Sequence, residues 1–213
     1  RIVEAFVVLA AGQPLAAGFQ GRSGKAMRSV EVIALAVLMA ALPAQAQHVG
    51  DDGLHKADWL HDTFRDLSED LAEAEAEGKR LMILIEQRGC IYCRKMHEEV
   101  FVVPEIEKML EEDFFVIQIN MFGDVEVTDF DGTALPEKDM VKRWNALFTP
   151  TLMFFPHEVA EGQTAAQAAV VTMPGAFGRW TTQNLLSWVL EEGYAGDEPF
   201  QKYHARKFEE QSQ

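Results

Sequence analysis

The stretch Arg88-Gly89-Cys90-Ile91-Tyr92-Cys93-Arg94-Lys95-Met96 decides how the rest of the chain is interpreted. It holds the only two cysteines of the 213 residues. The apolar run RLMILIE at residues 80–86 comes just before it, which is typical of a buried strand. After it, Cys93, Met96 and Val100 share one side of a helical wheel. A strand, a glycine turn and a Cys-x-x-Cys pair opening a helix together predict a redox-active dithiol.

The position of the pair at a helix start has a physical consequence. The first turn of a helix presents unpaired N–H groups and the positive end of the helix dipole, and both favour a thiolate on Cys90. Cys93 follows one turn later, so a disulfide can close with little backbone movement. The loop that it closes is small and stabilises little, which favours redox chemistry over a structural role.

Composition and charge narrow the function classes. The chain is 48% hydrophobic and carries a formal net charge of −15, so a core is expected and nucleic acid is excluded as a partner. Acidity of this kind is typical of a solvated surface. Two cysteines cannot build a disulfide framework, and the length fits one domain with extensions.

The N-terminal segment has the pattern of an export signal. Basic residues at 22, 25 and 28 precede an apolar run at residues 32–42, and Ala44-Gln45-Ala46 follows Pro43. This pattern predicts a signal peptide cut after Ala46, because the apolar run is too short to span a bilayer. Met27 is a plausible translation start. We therefore expect an upstream extension plus signal peptide at 1–46, a domain at 47–195 and a C-terminal extension at 196–213.

The spacing of hydrophobic residues and the positions of glycine and proline predict the remaining secondary-structure elements. The apolar stripe of a first helix is Phe64, Leu67, Leu71 and Ala74, and residues 123–132 are interpreted as a solvated acidic loop without calcium-binding spacing. The other predicted elements are the cysteine helix to Val100, a helix from Pro104, a strand at 114–121, a helix from Pro136 carrying Met140, Val141, Trp144 and Leu147, strands at 152–155 and 170–172, a helix carrying Leu185, Trp188 and Val189, and an amphipathic tail at 199–208.

This order, together with two motifs, resembles the thioredoxin-fold superfamily. The motifs are Cys90-Ile91-Tyr92-Cys93 and, further along, Phe148-Thr149-Pro150-Thr151. The resemblance covers about Phe64 to Gly193. It implies an α/β fold with a central mixed sheet flanked by helices. The export signal, the acidic loop and the C-terminal tail are similar to those of periplasmic thioredoxins of the SoxW type, which accompany bacterial sulfur-oxidation systems.

The resemblance implies roles for six residues. Cys90 corresponds to the nucleophile that forms a mixed disulfide, and Cys93 to the resolving thiol. Pro150 corresponds to the cis-proline facing the pair, and Thr149 offers its backbone to an extended substrate. Ile91 and Tyr92 lie between the cysteines, where they tune the potential and contact substrate.

The chain also departs from the superfamily's pattern. The position of the buried acid of cytosolic thioredoxins is held by Leu84, and Glu86 lies two residues closer to Cys90. Gly89 stands where a tryptophan is usual, and Ile91-Tyr92 replaces Gly-Pro. The reducing strength of cytosolic thioredoxin therefore does not transfer directly to this chain.

The resemblance implies a periplasmic thiol:disulfide oxidoreductase that acts as a monomeric reductant. It needs no dissociable cofactor, and a membrane thiol-electron carrier of the CcdA/DsbD type would recharge it. Its clients would be disulfide-bearing periplasmic proteins. The interval between residues 121 and 148 is too short for the helical insertion of an oxidase, and no isomerase-type dimerisation domain is visible.

Three alternatives remain open from the sequence. The chain could be an oxidase or isomerase, a module with a purely structural disulfide, or a metal-binding, copper-handling module. For the last, His97 lies four residues after Cys93. The simpler interpretation of His97 is a surface or capping histidine. We therefore predict no metal site.

Overall fold

The strand predicted before the cysteines lies at the centre of the fold. The structure, a computed structural model, describes residues 48–211, so the predicted signal peptide lies outside the described residues. The sheet has the strand order β3-β5-β4-β8-β9, with β3, β5 and β4 parallel and β8 and β9 antiparallel to their neighbours. Two hairpins, β1-β2 and β6-β7, stand apart from it. The strands are β1 His48–Val49, β2 His55–Lys56, β3 Leu60–His61, β4 Arg80–Glu86, β5 Phe114–Asn120, β6 Glu126–Thr128, β7 Ala134–Pro136, β8 Thr151–Phe154 and β9 Val171–Pro174.

Helices cover both faces of this sheet. The cysteine helix α2 continues without a break into a π-helical turn at Met96–Val100, and a 3-10 turn lies at Gly193–Ala195. Each remaining helix predicted from the sequence is present. The helices are α1 Leu67–Ala76, α2 Ile91–Lys95, α3 Pro104–Glu112, α4 Glu137–Arg143, α5 Ala165–Ala168, α6 Arg179–Leu190 and α7 Phe200–Gln211.

Successive side chains of β4 point to opposite faces of the sheet and therefore belong to two separate core layers. Met82 and Leu84 face α3, α6 and α7, whereas Leu81, Ile83 and Ile85 face α1 and α4. Every residue of β4 is buried, as expected for a parallel strand covered on both faces. The predicted α/β fold, a mixed sheet flanked by helices, is confirmed.

Two predicted core residues lie at the surface instead. Phe64 is 97% exposed because α1 begins only at Leu67, where the Asp66 side chain caps the N–H groups of Ser68 and Glu69. Leu147 is 64% exposed. It follows Asn145, whose left-handed backbone (φ 57) ends the helical register after α4. The helical spacing was extrapolated past a helix end in both cases.

The acidic segment 123–132 is not a uniformly solvated loop. It contains β6, and Asp129 is completely buried. The Asp129 carboxylate accepts hydrogen bonds from Trp144 Nε1 at 2.9 Å and from the Ala165 N–H at 2.7 Å, and it pairs with Arg143. The interpretation of this segment as a solvated loop is therefore wrong at Asp129, because three donors from α4 and α5 replace its water.

The C-terminal tail forms α7, which packs against α6. Tyr203 is buried in the same core layer as Leu185 and Trp188, and its hydroxyl donates to Glu191 at 2.9 Å. The prediction of an amphipathic helix packed on the body is confirmed. Among residues 48–211, the helices are too short or too polar to cross a membrane.

Candidate redox site

A short turn at the end of β4 places Cys90 at the tip of α2. Gly89 adopts a left-handed backbone (φ 72) that glycine accepts without strain. Cys90 then takes the extended conformation of an N-cap residue, and α2 begins at Ile91. The helix start predicted from the Cys-x-x-Cys spacing is confirmed, with the first sulfur at the cap position.

The two cysteines are joined as a disulfide. Their Cα atoms are 5.2 Å apart, within the normal range. Cys93 is fully buried, whereas Cys90 is 7% exposed to solvent. The N–H of Cys93 donates to Cys90 Sγ at 3.0 Å. The helix end therefore directs a donor at the more accessible sulfur, where negative charge would develop on reduction.

The Thr149–Pro150 loop lies against the same sulfur. The hydroxyl of Thr149 donates to Cys90 Sγ at 3.4 Å, and the Thr149 carbonyl oxygen lies 3.7 Å from it. The Thr149–Pro150 peptide bond is cis. Strand β8 begins at Thr151 opposite Ile85 of β4, so strand pairing brings this loop to the end of β4 where the cysteine turn begins.

The six residues singled out from the sequence divide into two groups. Cys90, Cys93, Thr149 and Pro150 form the buried or half-buried centre. Ile91 and Tyr92 are 63% and 58% exposed beside it. Tyr92 also lines an open cavity of about 370 Å³ together with Lys95, Phe177 and Arg179. The centre is therefore bordered by exposed apolar side chains from the cysteine helix.

An N-terminal hairpin, β1-β2, forms the other border, and the sequence did not predict it. The Arg88 guanidinium donates to the carbonyl oxygens of Asp51 at 3.1 Å and Asp52 at 3.2 Å. A cavity of about 190 Å³ lies between this hairpin and α2, and its lining includes His55 and Cys90. These two-residue strands carry no periodic signal, so the mixed polar stretch at residues 48–62 predicts no element of its own.

Behind the cysteines lies a buried group of ionisable side chains. Glu86 is 1% and His97 is 0% exposed, and His97 Nε2 lies 3.1 Å and 3.2 Å from the two carboxylate oxygens of Glu86. The interpretation of His97 as a surface or capping histidine is wrong, because the π-helical turn directs it inward. The four-residue spacing from buried Cys93 was the signal for this burial.

His55 completes this group from the hairpin side. Its ring stacks on His97, with the ring centroids 4.7 Å apart. Burial lowers the pKa of His55, and the nearby His97 and Arg94 lower it further against the opposing effect of Glu86 and Glu98. Nothing local in the sequence pointed to His55, since it lies far from Glu86 and His97 in the chain.

Comparisons with known proteins agree with this geometry. Residues 67–170 match the thioredoxin-like domain family. The thiol:disulfide interchange protein DsbD of Escherichia coli (strain K12) is 30% identical over 150 residues, covering 68% of this chain and 24% of that protein. The DsbD of Cronobacter sakazakii is 29% identical over 134 residues, 61% of this chain and 21% of that protein. The chain thus spans less than a quarter of the length of these relatives.

A solved structure shows the same fold. A thioredoxin-fold protein from Helicobacter pylori superposes with a TM-score of 0.52 at 12% sequence identity, covering 75% of this chain and 94% of that one. The strand order, the Cys-x-x-Cys helix and the matched domain together define the class of protein. The chain has the thioredoxin fold, and its residues 67–170 match a thioredoxin-like domain that contains the Cys-x-x-Cys pair.

Proposed function

We propose that this protein is a thiol:disulfide oxidoreductase that reduces disulfide bonds of exported client proteins. The observation that carries the proposal is the position of Cys90 Sγ. It lies at the N-terminus of α2, accepts hydrogen bonds from Cys93 N–H and Thr149 Oγ1, and keeps partial access to solvent. These donors stabilise the thiolate, which is the attacking form in disulfide exchange.

The proposed reaction begins from the reduced dithiol. The Cys90 thiolate attacks one sulfur of the client disulfide, the client S–S bond breaks, and the departing client sulfur takes up a proton. Cys93 then loses its proton and attacks Cys90 Sγ in the mixed disulfide, which releases the second client thiol. Two electrons pass to the client, and the Cys90–Cys93 disulfide seen here remains. The dithiol itself is the redox centre, so the cycle needs no dissociable cofactor.

Client recognition would use the surface around Cys90. An extended client segment can lie along the backbone at Thr149 and Pro150, where main-chain groups accept and donate hydrogen bonds. Ile91 and Tyr92 offer exposed apolar contacts on one side, and Phe148, 65% exposed, offers another. This combination suits many client sequences, because backbone contacts and small apolar patches do not depend on one side-chain pattern.

The sequence and the relatives support the proposed cellular location and the proposed electron donor. The predicted signal peptide, residues 1–46, supports a periplasmic protein with a thioredoxin-like domain at 47–195 and a C-terminal extension at 196–213. Similarity to the DsbD proteins, which are named for thiol:disulfide interchange, supports recharging by a membrane thiol-electron carrier of the CcdA/DsbD type. The monomeric state and the SoxW-type role in sulfur oxidation stay predictions.

Insulin reduction by the wild-type chain and the Cys90→Ser variant tests the proposal. The variant loses the attacking sulfur, so we expect turnover to fall to the background of the reductant alone. Unchanged turnover would contradict the assignment of Cys90. The reduction potential of the Cys90–Cys93 pair then distinguishes a reductase from an oxidase, since a reductant has a potential of about −270 mV and a strong oxidant one of about −120 mV. A value near the oxidant end would favour the oxidase alternative.

A further inference from the structure

The proposed reaction does not use the buried ionisable side chains behind the cysteines. The Glu86 carboxylate and the His97 imidazole are both removed from water. Burying a carboxylate is unfavourable unless a cation or hydrogen-bond donors compensate for the lost solvation. His97 supplies one partner through Nε2. Its other ring nitrogen, Nδ1, is buried and has no hydrogen-bond partner in residues 48–211.

A third ligand-type side chain comes from the hairpin. One donor atom each from His55, Glu86 and His97 lies within 4.8 Å of the other two. Two of these residues are fixed in the core, and His55 is half-exposed. We propose that His55, Glu86 and His97 form a binding site for a divalent transition-metal ion of the Zn²⁺ class.

The donor set determines the class of ion. Two imidazole nitrogens and one carboxylate oxygen suit Zn²⁺ and its first-row neighbours, whereas Ca²⁺ and Mg²⁺ prefer oxygen ligands alone. Around one tetrahedral ion, ligand atoms at 2.0–2.2 Å from the metal are about 3.4 Å apart. Glu86 and His97 already meet that separation at 3.1 Å. Binding would therefore require the half-exposed His55 ring to rotate out of its stack on His97.

A further side chain orients Glu86 and holds the hairpin that carries His55. Gln118 Nε2 donates to Glu86 Oε2 at 2.6 Å and to the backbone carbonyl oxygen of His55 at 2.8 Å. Lys56 Nζ donates to Gln118 Oε1 at 3.0 Å, which fixes the orientation of the amide. Metal ligands are commonly held by outer partners of this kind. Gln118 therefore couples the carboxylate to the hairpin that carries His55.

A cavity gives access to the proposed site, and aromatic side chains enclose its inner side. The cavity of about 190 Å³ lined by His55 and Cys90 opens to solvent, so an ion can reach the histidine without unfolding the core. On the inner side, Trp59 stacks on His97 and Phe101 meets it edge-on. Apolar walls around a polar pocket limit the competition from water. The sequence predicted no metal site here because His55, Glu86 and His97 come from three separate segments.

Zinc titration of the disulfide-oxidised chain, followed by calorimetry, tests the proposal with the cysteines unavailable as ligands. We expect one Zn²⁺ per chain, and Co²⁺ alone should give the visible absorption bands of a low-coordinate site. His55→Gln, at a half-exposed position, should weaken Zn²⁺ binding at least tenfold, by analogy with changes around known sites. His157→Gln is the matched control, because that exposed ring pairs with Glu75 and Glu192 elsewhere.

Two outcomes would overturn the assignment. They are the absence of binding to the disulfide-oxidised chain at millimolar Zn²⁺, and equal affinity in the His55→Gln and wild-type chains. Glu86→Gln, nearly isosteric, should abolish binding while the circular dichroism spectrum stays unchanged. These readouts do not involve client reduction, so the metal site and the redox function can fail separately.

Discussion

The Sγ atom of Cys90 accepts a hydrogen bond from Thr149 Oγ1 at 3.4 Å across 59 positions of sequence. The contact exists because β4 and β8 pair antiparallel, with Ile85 opposite Thr151. The turn after β4 and the loop before β8 consequently meet at one edge of the sheet. The loop thus adds a side-chain donor to the backbone N–H that Cys93 already directs at the sulfur.

Thr149→Val tests the contribution of that hydroxyl. Valine keeps the shape of threonine and its preference for extended backbone, but it removes the donor. Hydrogen bonds to charged groups contribute about 1.5–3 kcal/mol, so we expect the alkylation rate of reduced Cys90, measured against pH, to rise about one pH unit or more higher than in the wild type. Thr172→Val, on the exposed side of β9, is the control. Equal rates in the Thr149 and Thr172 variants would show that the hydroxyl does not act on the sulfur.

Cys93→Ser should convert the protein into a trap for its clients. The variant retains the attacking Cys90 but lacks the sulfur that resolves the mixed disulfide. Cys93 is fully buried, and serine fits its space, so the fold is expected to persist. Non-reducing gels and mass spectrometry of a cell extract would then identify the clients. If Cys90→Ser captured the same adducts, the order of attack proposed for the two sulfurs would be wrong.

Asp129 should be critical for stability although it lies far from the cysteines in sequence. Its truncation in Asp129→Ala leaves the Trp144 N–H and the Ala165 N–H unpaired and removes the buried partner of Arg143. Each buried donor left unpaired costs about 1–3 kcal/mol, and two such donors lose their partner in this variant. Urea unfolding measures this change. Asp131→Ala, which removes the exposed partner of the same arginine, should have a much smaller effect, and comparable losses would refute the distinction.

Asp70 predicts a specific pH dependence of stability. Burial raises the pKa of Asp70 to about 6, with Asp66, Glu73 and Glu69 adding to the rise and a Thr63 hydrogen bond opposing it. The folded state therefore holds this proton more tightly than the unfolded chain, in which the pKa of an aspartate is about 3.9. The contribution to stability is present below pH 4 and is lost as the pH rises through 6, by at most about 3 kcal/mol.

Asp70→Asn isolates that contribution. The amide cannot ionise, so the free energy of unfolding of the variant should gain on that of the wild type between pH 4 and pH 7. Urea titrations at several pH values measure the difference, and Glu105→Gln, at an exposed position on α3, serves as control. A difference between Asp70→Asn and wild type that stays constant with pH would contradict the raised pKa.

The sequence by itself was sufficient for the fold and the redox pair. Continuous apolar runs such as residues 81–85 predict doubly covered strands, and the Cys90-x-x-Cys93 spacing predicts a dithiol at a helix start. These signals are local, because each depends on residues within a few positions of one another. The position of the Thr149-Pro150 pair before a strand was equally predictable from the sequence, since proline restricts where a strand can begin.

Only the tertiary structure decided which polar groups are buried. Glu86 was an ordinary strand-end residue in the sequence, and Asp129 belonged to an acidic loop. Their burial depends on partners supplied by distant segments: Gln118 for Glu86, Trp144 and Ala165 for Asp129. A charged side chain leaves water only when such partners converge on it. Convergence is a property of chain packing, and no local pattern of residues records it.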